Sequence, residues 1–392
     1  MSKEIAFVGA GLSCAVIARH LAEAGVRCVL FEKRDHIAGN CHTRRDPETG
    51  VMVHAFGPHI FHTSNERVWD YVNRFADFGP FVNRVKAVTE RGVFSLPVNL
   101  LTLNQLFGMN LNPKEAAAFV AEKAKPFKTG REETFEEVAL SLVGEEIYRA
   151  FFYGYTKKQW GCEPSELPGD IIKRLPIRFT YEDDYYRDTY QGIPREGYTA
   201  MIAKILDHPG IEVKLNHPVA PTELSAFGHA VWSGPLDAFY GFRHGRLSYR
   251  TVFWKEERSE GDAQGTACLN NTSEKVPYTR TIEHKFFTPW EKHERTLLST
   301  EYSKATEPHD DPYYPIRSAR DLDMLDRYVA DALEERAWSF IGRLGTYRYL
   351  DMHLIIEESL SFAERALAAI QGGAGREWPV FPIPREKICA RS

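Results

Sequence analysis

IAFVGAGLSCAVIARHLAEAGVRCVLFE, residues 5 to 32, carries strand, glycine turn, helix, strand and a terminal acid in one run. Ile5 to Val8 is a short apolar stretch suited to a buried parallel strand. Gly9 and Gly11 form the turn, Ser13 to Glu23 suits a helix that Gly25 stops, and Val26 to Phe31 is a second apolar strand ending at Glu32. In a dinucleotide fold the first glycine makes the tight turn. The second lets a pyrophosphate approach the backbone at the positive end of the helix, and an acid about 20 residues on accepts from a ribose hydroxyl. Glu32 stands in that place, and Cys14 stands where a third glycine is usual. The pattern predicts an α/β protein built on a nucleotide-binding βαβ unit.

The rest of the composition narrows the function class. With 392 residues there is length for two or three domains, and 43% hydrophobic with 26% charged residues is the balance of a water-soluble globular protein. A net charge of −5 speaks against general binding to nucleic acid or a membrane surface, so an anionic ligand needs local arginines. Lys3 and Glu4 precede too short an apolar run for a secretory or spanning segment. Six cysteines without CxxC spacing suit a reducing cytoplasm.

Further along, Gly57-Pro58 marks a turn in VMVHAFGPHIFH, and His59 and His62 flank two apolar residues. They lack a partner at metal-ligand spacing, so no metal is expected; they suit structural roles or, for one of them, contact with a cofactor. Phe81 to Leu96 suits paired strands turning at Arg91-Gly92. Helical text follows, with Pro113 in one first turn and a capping box over Thr134 to Glu137. It ends in FFYGYTKKQWG, residues 151 to 161, where polar residues interrupt the aromatics; core packing and stacking on a planar base are equally compatible with it. LPGDIIKRLPIR, residues 167 to 178, carries Lys173, Arg174 and Arg178 between Pro-Gly and Leu-Pro, as either a surface loop or a lid that closes on an anion. Strand-like runs dominate from Leu247 to Tyr302. Asp351 opens a last helix, and the Gly- and Pro-rich end from Gly372 suits a loose tail.

GPHIFH, FFYGYTKKQWG, PYYPIR and FIGRLGTYRYLDM together resemble bacterial UDP-galactopyranose mutases, and the similarity runs from about Ile5 to Ala369. The resemblance implies a flavoenzyme that interconverts UDP-galactopyranose and UDP-galactofuranose without net redox change, with reduced FAD as nucleophile at the anomeric carbon. It implies that Arg174 and Arg280 hold the diphosphate, with Tyr185, Tyr314 and Tyr349 as further phosphate contacts. Trp160 would lie by the uridine and sugar, and Phe151, Phe152, Tyr155, Thr156, Asn83 and Asn270 match uridine-site positions. His59 and Ile60 would meet the flavin, as would Arg343, Leu350, Asp351 and Met352. Gly9, Gly11, Leu12, Ser13, Glu32, Lys33, Asn40 and Val219 match contacts to the rest of FAD.

The fold implied is α/β. Residues 1–77, 197–240 and 315–370 would form a discontinuous Rossmann-like FAD-binding domain. Residues 100–190 would form a helical insertion with a mobile basic loop near 167–178, and 78–99 with 245–314 an antiparallel sheet domain; 371–392 would be the tail. The family also implies a cytoplasmic homodimer serving a cell-surface polysaccharide. Three positions depart from its pattern: Cys14 and Ala38 each stand at a glycine position, and His353 where an acid is common. The helix dipole would lower the Cys14 thiol pKa, and a positive φ at Ala38 would be strained. Other chemistries stay open: a mutase for UDP-N-acetylgalactosamine, a flavin oxidoreductase, or a non-catalytic nucleotide-sugar binder.

Overall fold

The structure, a computed structural model, describes residues 4–174, 177–372 and 377–390; for Asp170, Lys173 and Arg174 it describes the backbone only. The opening run folds as β1 (Glu4–Val8), α1 (Leu12–Glu23) and β2 (Arg27–Phe31). A five-stranded sheet forms around them in the order Ile211–Lys214, β2, β1, His229–Trp232 and Trp338–Phe340. Every pairing in it is parallel. Parallel strands need crossovers, so the sheet collects segments more than 300 residues apart in sequence. α1 is apolar nearly all round, with Cys14, Ala15, Val16, Ile17, Ala18 and Leu21 fully buried. It is covered by the helices Tyr198–Leu206 and Met352–Gln371.

A seven-stranded sheet stands beside it, in the order Tyr314–Pro315, Tyr249–Glu260, Arg295–Ala305, Arg280–Glu283, Cys268–Asn271, Val85–Thr89 and Gly92–Leu96. The antiparallel sheet expected from the sequence needs one correction: Cys268–Asn271 runs parallel to its neighbour Val85–Thr89. The hairpin of Val85–Thr89 and Gly92–Leu96 precedes the helical segment and joins the sheet from the far side of it, so no tight turn dictates its direction.

Between these two halves come Leu100–Phe107, Pro113–Ala124 and Phe135–Val143. Capping boxes at Asn112/Glu115 and Thr134/Glu137 start the last two. They share a core of their own with Tyr148, Phe151 and Phe152. The aromatic stretch is helical: a π-helix over Tyr148–Tyr153 runs into an α-helix over Gly154–Trp160.

The C-terminal segment differs from the loose tail expected. Trp378 stacks on His229 at 4.0 Å, Phe340 donates its N–H to the Val380 carbonyl, and Phe381 and Ile388 are buried. Its apolar residues sit between prolines, and they close the outer edge of the parallel sheet.

Candidate active site

A cavity of about 820 Å3 opens where the two sheets and the helical part meet. Each part supplies a wall. The turn at Gly57-Pro58 contributes His59 and Ile60, and the start of the hairpin contributes Asn83. The π- and α-helical stretch contributes Phe151, Phe152, Tyr155, Thr156 and Trp160. The seven-stranded sheet contributes Asn270, Arg280 and Tyr314, and the chain beside it Tyr185. Arg343, Tyr349, Leu350, Asp351 and Met352 close the end towards α1, with Asn40 nearby. Phe151 and Phe152 are buried among core residues and also line the cavity.

Strand register explains why Arg280 and Asn270 meet. Trp254, Glu301, Arg280 and Asn270 stand in one row across four adjacent strands. Glu301 is buried and its Oε2 accepts from Arg280 Nε at 2.9 Å and Nη2 at 2.6 Å, while Oε1 accepts from the Thr279 hydroxyl. Burial works against the Arg280 charge, but Glu301 and the nearby phenols hold its pKa well above the usual value. The guanidinium stays charged and aimed by two hydrogen bonds, with its Nη1 donors uncommitted among the described residues. Tyr314 and Tyr349 stack at 5.5 Å, with the Arg343 guanidinium over both rings. Burial raises the pKa of Tyr155, Tyr314 and Tyr185, the last to about 12, so these phenols are neutral donors. Arg280 and Arg343 with several hydroxyls around a void suit an oxyanion-rich ligand.

The His59 ring carries its own tautomer assignment. Nδ1 lies 2.7 Å from the Gly57 carbonyl and must donate to it, which leaves Nε2 as an acceptor. Burial pulls its pKa down to about 4, the carbonyl bond pushing back and Arg343 and Arg280 pulling further, so the ring is neutral at pH 7. The turn is held from behind: the His59 N–H donates to His54 Nδ1, and the His54 N–H donates to His284 Nδ1. His62 takes a different part. Its Nδ1 bonds Asp188 at 2.6 Å and its ring stacks on Tyr186. Among the described residues no group of three His, Cys, Asp or Glu is arranged to hold a metal ion.

The other positions proposed from the sequence lie around α1 or outside the cavity. Gly9 has φ +107°, and a Cβ there would fall 2.3 Å from Ser233 Oγ. Gly11 faces Gly39 backbone to backbone, and as N-cap it brings no side-chain bond to α1, whose first N–H groups beside Leu12 and Ser13 stay open among the described residues. The buried Glu32 carboxylate accepts from the N–H groups of Ala10 and Arg34. Lys33 pairs with Asp311 at 2.5 Å, and Val219 packs beside the outer face of the parallel sheet, away from the cavity. The side chain of Arg174 lies outside the described residues; its backbone is the end of a 3-10 helix, Gly169–Arg174.

Two expectations change, for Arg178 and for Cys14. Arg178 does not face an anion: its guanidinium donates to the Asp184 and Tyr185 carbonyls and fixes the segment carrying Tyr185. The basic loop is fastened where it begins, through Leu167 and Ile172 in the helical core and the Gly169 N–H on the Glu133 carbonyl. Residues 175 and 176 lie outside the described residues. Cys14 is no activated thiol, because complete burial pushes its pKa up to about 12 and its Sγ contacts the Val8 carbonyl at 3.9 Å. Desolvation outweighs the helix end. Ala38 does hold φ 77°, the strained left-handed conformation foreseen for it.

Sequence reasoning missed Glu301, Lys158, the His54–His284 pair and Gln159, whose Oε1 is buried at the cavity wall without a hydrogen-bond partner among the described residues. Glu301 had a visible signal. It shares a phase with Leu297 and Ser299 in an alternating strand, so an acid there points inward and needs a cation.

Known proteins match this arrangement along the whole chain. The family model for UDP-galactopyranose mutase matches residues 150–349, and one for an NAD(P)-binding Rossmann-like domain matches residues 8–75. A protein of Klebsiella pneumoniae named "Probable UDP-galactopyranose mutase" is 50% identical over 383 residues, 98% of this chain and 99% of that protein. The dTDP-fucopyranose mutase of Escherichia coli is 44% identical, covering 92% of this chain and 97% of that one. A crystal structure of reduced UDP-galactopyranose mutase superposes with TM-score 0.71 at 14% identity, over 99% of this chain and 97% of that one, which shows the shared fold. With a model covering half its length and near-full-length relatives at this identity, the chain belongs to the UDP-galactopyranose mutase family.

Proposed function

We propose that this protein interconverts UDP-galactopyranose and UDP-galactofuranose with FAD as cofactor in its reduced form. The observation that carries the reading is the cavity shared by the Glu301-held Arg280, the stacked Tyr314 and Tyr349, and the neutral His59. The residues present fit FAD: the open N-terminus of α1, the Gly9 turn, the Gly11–Gly39 approach and the buried Glu32 suit a dinucleotide, and Arg343 to Met352 would hold the flavin. Reduced FAD would supply a nucleophile for the anomeric carbon, and it would end the cycle in its starting oxidation state.

The protein's own residues do the rest. Arg280, with Arg174, binds the diphosphate and offsets the charge that grows on it as UDP departs. Tyr185, Tyr314 and Tyr349 donate hydroxyl protons to the same oxygens. Tyr155, Thr156, Asn83 and Asn270 orient the uridine while Phe151, Phe152 and Trp160 exclude water from it. His59, an acceptor at Nε2, takes a hydrogen bond from the bound partners. Holding departed UDP in place is the essential task, because the reclosed sugar must recapture it.

The test is to purify the protein, reduce it with dithionite and chromatograph the products from UDP-galactofuranose. Arg280→Ala and Arg174→Ala should keep flavin and lose most turnover; full activity in both variants would strip the two arginines of their diphosphate role. The 44% identical dTDP-fucopyranose mutase supports a second reading, in which a 6-deoxy sugar on dTDP is the substrate. A panel of UDP-galactose, UDP-N-acetylgalactosamine and dTDP-fucose in their furanose forms separates these. Flavin bleaching by UDP-galactose in air would favour an oxidoreductase instead.

A further inference from the structure

The GYTKKQW motif carries two lysines that the mutase reading leaves without a task. Lys157 is a surface residue paired with Glu163 and Glu274. Lys158 is different. Its ammonium donates to three backbone carbonyls, Asn271 at 2.9 Å, Ser273 at 2.7 Å and Tyr278 at 2.8 Å. Asn271 ends the strand of Asn270, and Ser273 and Tyr278 lie in the loop that follows it and returns as the strand of Arg280. An ammonium has three donors, and here each finds one carbonyl on this single stretch of chain. The helix carrying Lys158 is the one that carries Tyr155, Thr156 and Trp160 into the cavity.

The approach is tight on the same face. A Cβ on Gly154 would fall 2.2 Å from the Thr272 carbonyl oxygen, so helix and loop meet at backbone distance one turn before the lysine. The loop is anchored on its other side, where Thr272 donates from its N–H at 2.9 Å and from its hydroxyl to the Val88 carbonyl. Cys268, Asn270 and Thr272 line the cavity from this strand and loop. The aromatic helix is tied to the sheet again at its far end, where the Gln159 carbonyl accepts from Arg250 and Ser303. The Lys158 joint is the one that meets the Asn270 strand and its loop, between the two walls of the proposed uridine site.

We propose that Lys158 is a positioning residue for the nucleoside half of the substrate: it clips the helix of Tyr155, Thr156 and Trp160 to the loop after Asn270 and so sets the width of the slot for the base. The inference rests on the mutase reading and deepens it. The three bonds of the clip go to Asn271, Ser273 and Tyr278, and Arg280 is fixed separately by Glu301. Loss of the clip should therefore appear in nucleotide binding rather than in the diphosphate contacts or the chemical step.

The experiment compares wild type with Lys158→Met and Lys158→Arg, all as reduced holoenzyme. Lys158→Met keeps the chain length and leaves three carbonyls without a donor; Lys158→Arg keeps the charge, but its planar fork cannot match three converging acceptors. Calorimetric Kd for UDP and for inorganic pyrophosphate is measured alongside KM and kcat. Lys158→Met should weaken UDP by about tenfold or more and raise KM, leaving pyrophosphate affinity and kcat within about threefold. Lys158→Arg should fall between. A Lys158→Met enzyme that binds UDP within about twofold of a UDP-binding wild type would overturn the clip, and so would an equal loss of pyrophosphate affinity. Failure of the wild type itself to bind UDP would overturn the mutase reading and the clip with it. Should Lys158→Met not be recovered folded, Lys158→Gln and Lys158→Arg carry the same comparison.

Discussion

Ala38 sits at φ 77° in the turn that faces the phosphate-binding loop, and its N–H donates to the Ala10 carbonyl. A Cβ in this region costs about 1–2 kcal/mol. Ala38→Gly removes that cost and returns part of it as unfolded-chain freedom, so the variant should be more stable by about 1 kcal/mol. Thermal melting of the flavin-free protein checks this, and a lower midpoint for Ala38→Gly would refute it. Glu301 acts in the opposite sense. Glu301→Gln preserves shape but strips the counter-charge from Arg280, and should cost about 2–4 kcal/mol in urea unfolding. It should also lower kcat/KM by on the order of tenfold, because a guanidinium held by one neutral amide points less reliably at the diphosphate. Unchanged unfolding and unchanged kcat/KM together would show that Arg280 needs no such anchor.

At the scale of elements, β1, α1 and β2 were legible because periodicity, glycine spacing and a terminal acid all favour one local structure. The partners of β1 and β2 in the parallel sheet were less so, since register between distant segments leaves no local trace. The same limit hid the row from Trp254 to Asn270, although the strands themselves were visible as alternating runs. Site residues carried by motifs were found, whereas Lys158 and the His54–His284 pair bond to backbone, and nothing in the sequence says which carbonyl or N–H will be near. The C-terminal segment misled through composition. Glycine and proline suggest a tail, yet Trp378, Phe381 and Ile388 pack on the sheet edge, and Arg317 and Arg365 donate to its carbonyls. A chain ending at Arg376 should lose at least about 3 kcal/mol, the burial of two large apolar side chains. Differential scanning calorimetry of the shortened chain measures this; a melting point equal to that of the full chain would mean that the segment only rests on the surface.

For the whole molecule, acid lability follows from four histidines held neutral, three of them buried and His59 half-buried at the cavity. His54 lies against His284, His59, Phe287 and Tyr198, and burial holds its pKa well below 6.5. His59 is pulled to about 4 by burial, with the charges of Arg343 and Arg280 adding to it. His284, bonded to Ser299 and near Arg44, is lowered to about 3, as is His229 beneath Trp378 and beside Ser339. In the unfolded chain each titrates near 6.5. Between that value and the folded one, the unfolded state binds more protons, so stability rises with pH. Stability is complete above about pH 6.5 and falls as pH drops towards 4, by up to about 2 kcal/mol per histidine at pH 5. Asp46, held low by Arg258, adds its loss only at more acid pH, so the interval from 6.5 to 5 belongs to the histidines. Urea midpoints at pH 7, 6 and 5 should fall in steps, and His229→Gln, distant from the cavity, should lessen the slope by about one proton. Equal midpoints at pH 7 and pH 5 would mean that the buried rings find their protons without unfolding, which their burial forbids.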